Sequence, residues 1–292
     1  GPLELVPEPL HRPSAVQIGW VDFVRRRGQL GEWWDAARQA LAMHPTDPHA
    51  VQFAAEADLD EILTSQRLQR MRALSPGERK KLEAATAALT SQWDRERATD
   101  GPLRPEDAAV CGNVVVGLVG LGEFSTALDV ARQGLALAPD DVDLIFRAAM
   151  VALEAGDDLF AAELLPKLPK TADSVVMKFR FHAAHADWKA VVDLFESDAA
   201  LIPPTEEPII SITAKLAAIR IGVDDPDERR RQIAIVAEDA LRDPRASIVV
   251  ADFARREGME DIADAAFDAA LKQIDGDSHA ADRQMVAHHA NR

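Results

Sequence analysis

The stretch Gly122-Glu-Phe124-Ser-Thr-Ala127-Leu128-Asp-Val-Ala131-Arg-Gln-Gly134-Leu135-Ala-Leu137-Ala-Pro139 decides how this chain folds. Gly122 interrupts the apolar run before it, Phe124 is placed to close a turn, and Ala127, Leu128, Ala131, Leu135 and Leu137 recur at helical spacing until Pro139. That pattern predicts an amphipathic helix with a defined stop. Ala127, Ala131 and Gly134 share one face, where a larger side chain would hold a neighbouring helix away. The preceding run, Ala108 to Leu121, is apolar on most sides and suits a helix buried between neighbours.

The same pattern returns along the chain. Gly156, Ala161 and Leu165 keep the turn glycine, the small residue and the packing residue, with Pro166 and Pro169 in place of the usual helix end. Gly258, Ala263, Phe267, Ala270 and Leu271 repeat it most fully. Gly28, Leu30, Ala37, Ala40, Leu41 and Pro45 do so near the start, with Trp33 where a small residue is expected. The segment His185-Ala-Asp-Trp188-Lys-Ala190-Val-Val-Asp-Leu-Phe195 keeps the form, but His185 takes the place of the turn glycine. Ile18-Gly-Trp-Val-Asp22-Phe23-Val-Arg25-Arg26-Arg-Gly28 also aligns without gaps to Ile248-Val-Val-Ala-Asp252-Phe253-Ala-Arg255-Arg256-Glu-Gly258.

Helix pairs joined by tight turns, recurring at about 34 residues, resemble the tetratricopeptide repeat (TPR). The resemblance implies an all-α fold, a right-handed TPR-like α-solenoid of stacked antiparallel helix pairs, with degenerate repeats. Residues 1–13 are expected to be a tag remnant (Gly1-Pro2) and an irregular, proline-rich lead-in, so that native sequence upstream is missing. Residues 14–277 would form the solenoid of six to seven pairs, and 278–292 a C-terminal cap or tail. Within it, residues 47–100 depart from the repeat. Ser75-Pro76-Gly77-Glu78 opens a helix there with a capping-box pattern, and the segment is either a pair with enlarged helices or an insertion.

Composition narrows the function classes. The 292 residues are 47% hydrophobic with only 5% aromatic, as expected for a core of small side chains, and the net charge is −16. That acidity argues against a general nucleic-acid binder and against anionic membrane surfaces, both of which call for a basic face. It suits solubility or a basic partner. No apolar run reaches the roughly 18 residues of a membrane span. A cytoplasmic location is favoured, and the missing native N-terminus leaves it open. Cys111, the single cysteine, reads as a small buried hydrophobe.

In TPR proteins the first helix of each pair lines a concave groove. Carried onto this chain, that places Val116 and Val119, then Phe146, Met150 and Leu153, then Val175 and Phe179 along an apolar strip, which either receives an amphipathic helix or extended peptide or packs internally. In the outer units the matching residues are Asp22, Arg25, Arg26, Asp252, Arg255 and Arg256, which either fork onto acidic groups of a partner or pair within their own helices. Some TPR domains clamp a C-terminal carboxylate with Lys, Asn and Arg; the central groove has none of these in the matching places, so no such clamp is expected.

Other constellations carry less. His182, His185 and Asp187 have a metal-like spacing with too few ligands, and the turn explains them as well. His288 and His289 in the tail are treated alike. Arg67, Arg70, Arg72, Arg79, Lys80 and Lys81 form a basic cluster without the interleaved aromatics that base stacking needs. The sequence offers no nucleophile–base pair and no isolated acidic dyad in an apolar setting; the doublets Asp140-Asp141, Asp157-Asp158 and Asp224-Asp225 fall in expected inter-helix turns. The expectation is a non-enzymatic protein–protein interaction module, scaffold, adaptor or sensor, with no cofactor, no metal and no catalytic residue. The competing readings are a regulatory appendage of a larger protein whose catalytic domain lies elsewhere, and a self-association module forming a homo-oligomer.

Overall fold

The structure, a computed structural model, describes residues 14–28, 30–68, 74–98 and 105–276. The expectations for residues 1–13 and 278–292, and for Arg70 and Arg72, lie outside these residues, as does that for the side chain of Arg67. Among the described residues every regular element is helical. The chain divides into two compact units, Gly1–Leu164 and Leu165–Arg292.

The first unit holds α1 (Ser14–Arg26), α2 (Leu30–Met43), α3 (Pro48–Leu68), α4 (Pro76–Arg97), α5 (Pro105–Leu121), α6 (Phe124–Leu137), α7 (Val142–Ala155) and α8 (Asp158–Leu164). The second holds α9 (Ala172–Ala184), α10 (Trp188–Asp198), α11 (Glu207–Gly222), α12 (Pro226–Ala240), α13 (Pro244–Arg256) and α14 (Glu260–Gly276), with 3₁₀ turns at Leu165–Lys167 and Ala199–Leu201. Each helix packs on the next within its pair. In the first unit the leading helices α1, α3, α5 and α7 also pack successively on one another, and in the second α11 packs on α13.

The turns explain the pairing. At Gly122 the backbone turns left-handed (φ 83°), the Gly122 N–H donates to the Val119 carbonyl at 2.9 Å, and the Glu123 N–H donates to the Leu118 carbonyl at 2.9 Å. This is a Schellman closure, which satisfies the last carbonyls of one helix while aiming the chain into the next. Gly156 with Asp157 and Gly258 with Met259 repeat both bonds. So does Ala186 with Asp187, at 3.2 and 2.9 Å, with Ala186 at φ 55°. Ala186, not His185, therefore stands in the glycine position; the two bonds hold an alanine where L-residues are disfavoured. The α11–α12 turn has another solution. The Arg229 guanidinium donates to the Val223 carbonyl at 3.0 and 2.8 Å, doing by side chain what the left-handed residue does elsewhere.

Helix starts follow the side chains available. Ser75 and Glu78 form the expected reciprocal capping box at α4. Asp141, Asp187, Asp225 and Asp243 cap α7, α10, α12 and α13 through their carboxylates. Residues 47–100 contribute α3 and α4, of 21 and 22 residues, and α4 packs on both α3 and α5.

Small residues make the core. Ala127, Ala131, Ala161, Ala263 and Ala270 are fully buried. Gly134 sits so close to its neighbours that a Cβ there would lie 2.5 Å from Cys111 Sγ and 2.9 Å from Leu144, so α6 can approach α5 and α7 only with glycine at this point. Cys111 is buried, and burial pushes its thiol up to about 12, which makes it unreactive near neutrality. Trp33, in the place of a small residue, is buried beneath the Arg25 guanidinium, 5.3 Å from the ring centre.

Candidate protein-interaction face

Glu56 organises the leading-helix side of the first unit. It is 5% exposed on α3, and a carboxylate that deep must be neutralised and hydrogen-bonded. Arg25 Nη1 on α1 donates to Oε2 at 2.6 Å, Gln52 Nε2 one turn before Glu56 on α3 donates to Oε1 at 3.0 Å, and Asn113 Nδ2 on α5 donates to Oε1 at 3.2 Å. One carboxylate thus ties together three successive leading helices. On α7, Arg147 lies across Gly112 and donates to its carbonyl at 3.2 Å. Arg25, Glu56, Asn113 and Arg147 contribute a polar group from each of the four leading helices of this unit.

Beside that row, Val116 and Val119 on α5 and Phe146, Met150 and Leu153 on α7 are all half-buried. They give the first unit an apolar margin that is partly open to solvent. Val175 and Phe179, expected in the same strip, are core residues of the second unit at 2% and 3% exposure. Phe179 belongs to a cluster with Val191, Ile210, Ala214 and Ala217, so α10 and α11 take up the surface that a ligand would need.

The charged residues divide as well. Arg26 pairs with Asp22 at 2.7 Å, one turn away on the same exposed helix surface, whereas Arg25 reaches across to Glu56. In the second unit Arg255 stacks over Phe267 at 4.7 Å and lies 4.0 Å from Glu260, Arg256 is exposed, and Asp252 is half-buried. Forked binding of a partner's acids by Arg25 and Arg26 as a pair is not the geometry found: one guanidinium is anchored inward and the other along its helix.

The remaining candidates are structural in their contacts. His182 Nδ1 lies 3.1 Å from Asp187 Oδ2, His185 Nδ1 lies 2.8 Å from the Phe181 carbonyl, and the His185 ring packs on Phe181 at 4.4 Å. Among the described residues no group of three His, Cys, Asp or Glu side chains is placed to hold a metal ion, and no helix is long and apolar enough to cross a membrane. Lys81 pairs with Asp58 at 3.1 Å and with Glu61, which Arg38 also engages; Arg79 and Lys80 are exposed. Burial raises the Glu61 carboxyl, but the bonds from Lys81 and Arg38 bring it below the ordinary glutamate range.

Asn113, Glu56, Gln52 and Arg147 were missed by reading for apolar stripes. Asn113 and Arg147 do leave a trace in the sequence, as isolated polar residues inside the apolar runs Cys111-Gly-Asn-Val-Val-Val and Leu144-Ile-Phe-Arg-Ala-Ala, one repeat apart.

No family model and no curated protein matches this chain in sequence. Among solved structures it is similar to a tetratricopeptide repeat protein from Parabacteroides merdae, with a TM-score of 0.52 at 13% identity over 95% of this chain and 98% of that one. The fold is TPR-like. Looser similarity extends to a thermophilic TPR protein of Thermus thermophilus (TM-score 0.46, 14% identity, 71% of this chain and 100% of that one) and to YrrB, a TPR protein with an unusual peptide-binding site (0.42, 18%, 70% and 98%). At these identities the likeness concerns the TPR-like fold alone.

Proposed function

We propose that this protein is a protein-interaction module and that the leading-helix face of its first unit holds a peptide or helix of a protein partner. The observation that carries this reading is Glu56. A buried carboxylate bonded from α1, α3 and α5 makes that face rigid, and preorganised surfaces lose less entropy on binding. Asn113 shares α5 with the half-buried Val116 and Val119, and Arg147 shares α7 with the half-buried Phe146, Met150 and Leu153. Apolar anchors next to fixed polar groups suit a segment that presents side chains to the former and backbone to the latter. The remaining surface, acidic on balance, favours partners carrying basic residues around the bound segment.

The test is a peptide array probed with the intact chain and with Phe146→Ala, Met150→Ala and Asn113→Ala. Peptides that use this face should weaken about tenfold or more with at least one of the three, as truncation of an anchor does. A reproducible set of bound peptides indifferent to all three substitutions overturns the assignment.

A further inference from the structure

The duplicated segment gives two helices of one design in different surroundings. On α13, Phe253 is 4% exposed, belongs to a core cluster to which α11 contributes Ile212 and Leu216, and meets the edge of Trp188 at 5.2 Å. Ile219, further along α11, packs against the same cluster, and Arg220, next to it, donates to Glu257 at 2.8 Å just past the end of α13. The covering helix α11 therefore brings an apolar stripe at helical spacing, followed by a cation that meets the acid of α13.

On α1 the aligned phenylalanine, Phe23, is 50% exposed. It packs with Trp20 at 5.5 Å, and the described helices on which α1 packs are α2 and α3. At the position of Glu257 stands Arg27, exposed, its guanidinium 5.8 Å from the Phe23 ring. The phenylalanine of the docking design is kept and the charge at its end is inverted, while Trp20 beside it is half-buried against the core of α1, α2 and α3, and Gly19 stands where α13 has Val249.

We infer that the Trp20–Phe23–Arg27 face of α1 docks an amphipathic helix of a protein partner, laid as α11 lies on α13 but ending in a carboxylate where α11 has Arg220. The spacing of Ile212, Leu216 and Ile219 sets the apolar stripe, and Arg27 selects the acid. This face is separate from the one proposed above and does not depend on it.

The probe is a synthetic peptide of residues 207–222 carrying Arg220→Glu, titrated into the intact protein beside the same peptide with Arg220 retained. The Arg220→Glu peptide should bind, and bind about fivefold tighter than the unaltered one, the scale of an exposed ion pair. Phe23→Asp should weaken it about thirtyfold, as loss of a central aromatic anchor does. Arg27→Glu, an exposed substitution that leaves the core intact, should reverse the preference between the two peptides. Phe23 also separates docking on α1 from displacement of the protein's own α11, since Phe23→Asp leaves α13 untouched. No binding, binding indifferent to Phe23→Asp, or a preference that Arg27→Glu does not reverse overturns the proposal. So does tighter binding after deletion of residues 1–13, which would make the chain's own lead-in the occupant. Mass that grows with concentration and falls with Phe23→Asp overturns it in favour of a second copy.

Discussion

Helices α1 and α13 share Ile, Asp, Phe, Arg and Arg at matching positions and a glycine two residues past each end, yet the phenylalanine does different work in each. Phe253 is core and Phe23 is surface; both arginines stack on a ring of the following helix, Arg255 on Phe267 and Arg25 on Trp33, but Arg25 also reaches the buried Glu56. The two glycines behave alike, with φ of 72° at Gly28 and 75° at Gly258. The local sequence sets the helix and its stop, whereas the neighbouring helices set what each side chain is worth.

The largest expected contrast lies at the phenylalanines. Phe253→Ala should cost about 3–5 kcal/mol in urea unfolding, since it opens a cavity in a closed core. Phe23→Ala should stay within about 1 kcal/mol, as most surface changes do. Equal costs would show that Phe23 is as enclosed as Phe253. Overpacking tests the same core: Ala263→Leu should cost about 1–3 kcal/mol, because a fully buried alanine has no room beside it.

Next come the arginines. Arg25→Ala leaves a buried carboxylate without its cation and should cost about 1–3 kcal/mol by thermal unfolding. Arg255→Ala loses a stacking contact and a long ion pair, and should cost under about 1 kcal/mol. Both segments end on a left-handed glycine. Gly28→Ala and Gly258→Ala should each cost about 1–2 kcal/mol, and Ala186→Gly should stabilise by about 1 kcal/mol, because only glycine adopts a left-handed backbone without steric penalty. An Ala186→Gly protein that melts at or below the parent's temperature would show that this turn is not strained.

The smallest effect concerns acid. The Glu61 carboxyl lies below its ordinary value of 4.5, so its contribution is present above that pH and is lost as pH falls through the depressed folded value. Glu61→Gln should flatten the acid limb of the unfolding profile below pH 4.5; a parallel shift at all pH values would contradict the ion-pair account.

Much of the fold was legible because its signals are local. Gly122, Gly156 and Gly258 mark turns that a side chain would strain, Ser75 and Glu78 announce a helix start three residues apart, and the alanines on the α6 and α14 faces repeat at the helical period. Ala186 escaped because alanine is an ordinary helix residue; only the bonds from Ala186 and Asp187 back to Ala183 and His182 force it left-handed. The candidate site was less legible. Apolar periodicity marks a face and cannot say whether solvent or another helix meets it, so Met150 and Phe179 looked alike until one proved half-buried and the other closed off by α10 and α11. Glu56 is one of 49 acidic residues, and nothing in its neighbourhood distinguishes it before Arg25 and Asn113 are brought to it.

The helix, the turn and the small-residue packing face are written in each repeat, since they depend on backbone conformations and spacings within it. The tertiary structure decided which copies of that design are covered, where the inward charge sits and which apolar residues stay open. Those properties arise from the contact of segments dozens of residues apart, and burial, unlike helical propensity, belongs to the pair of surfaces that meet.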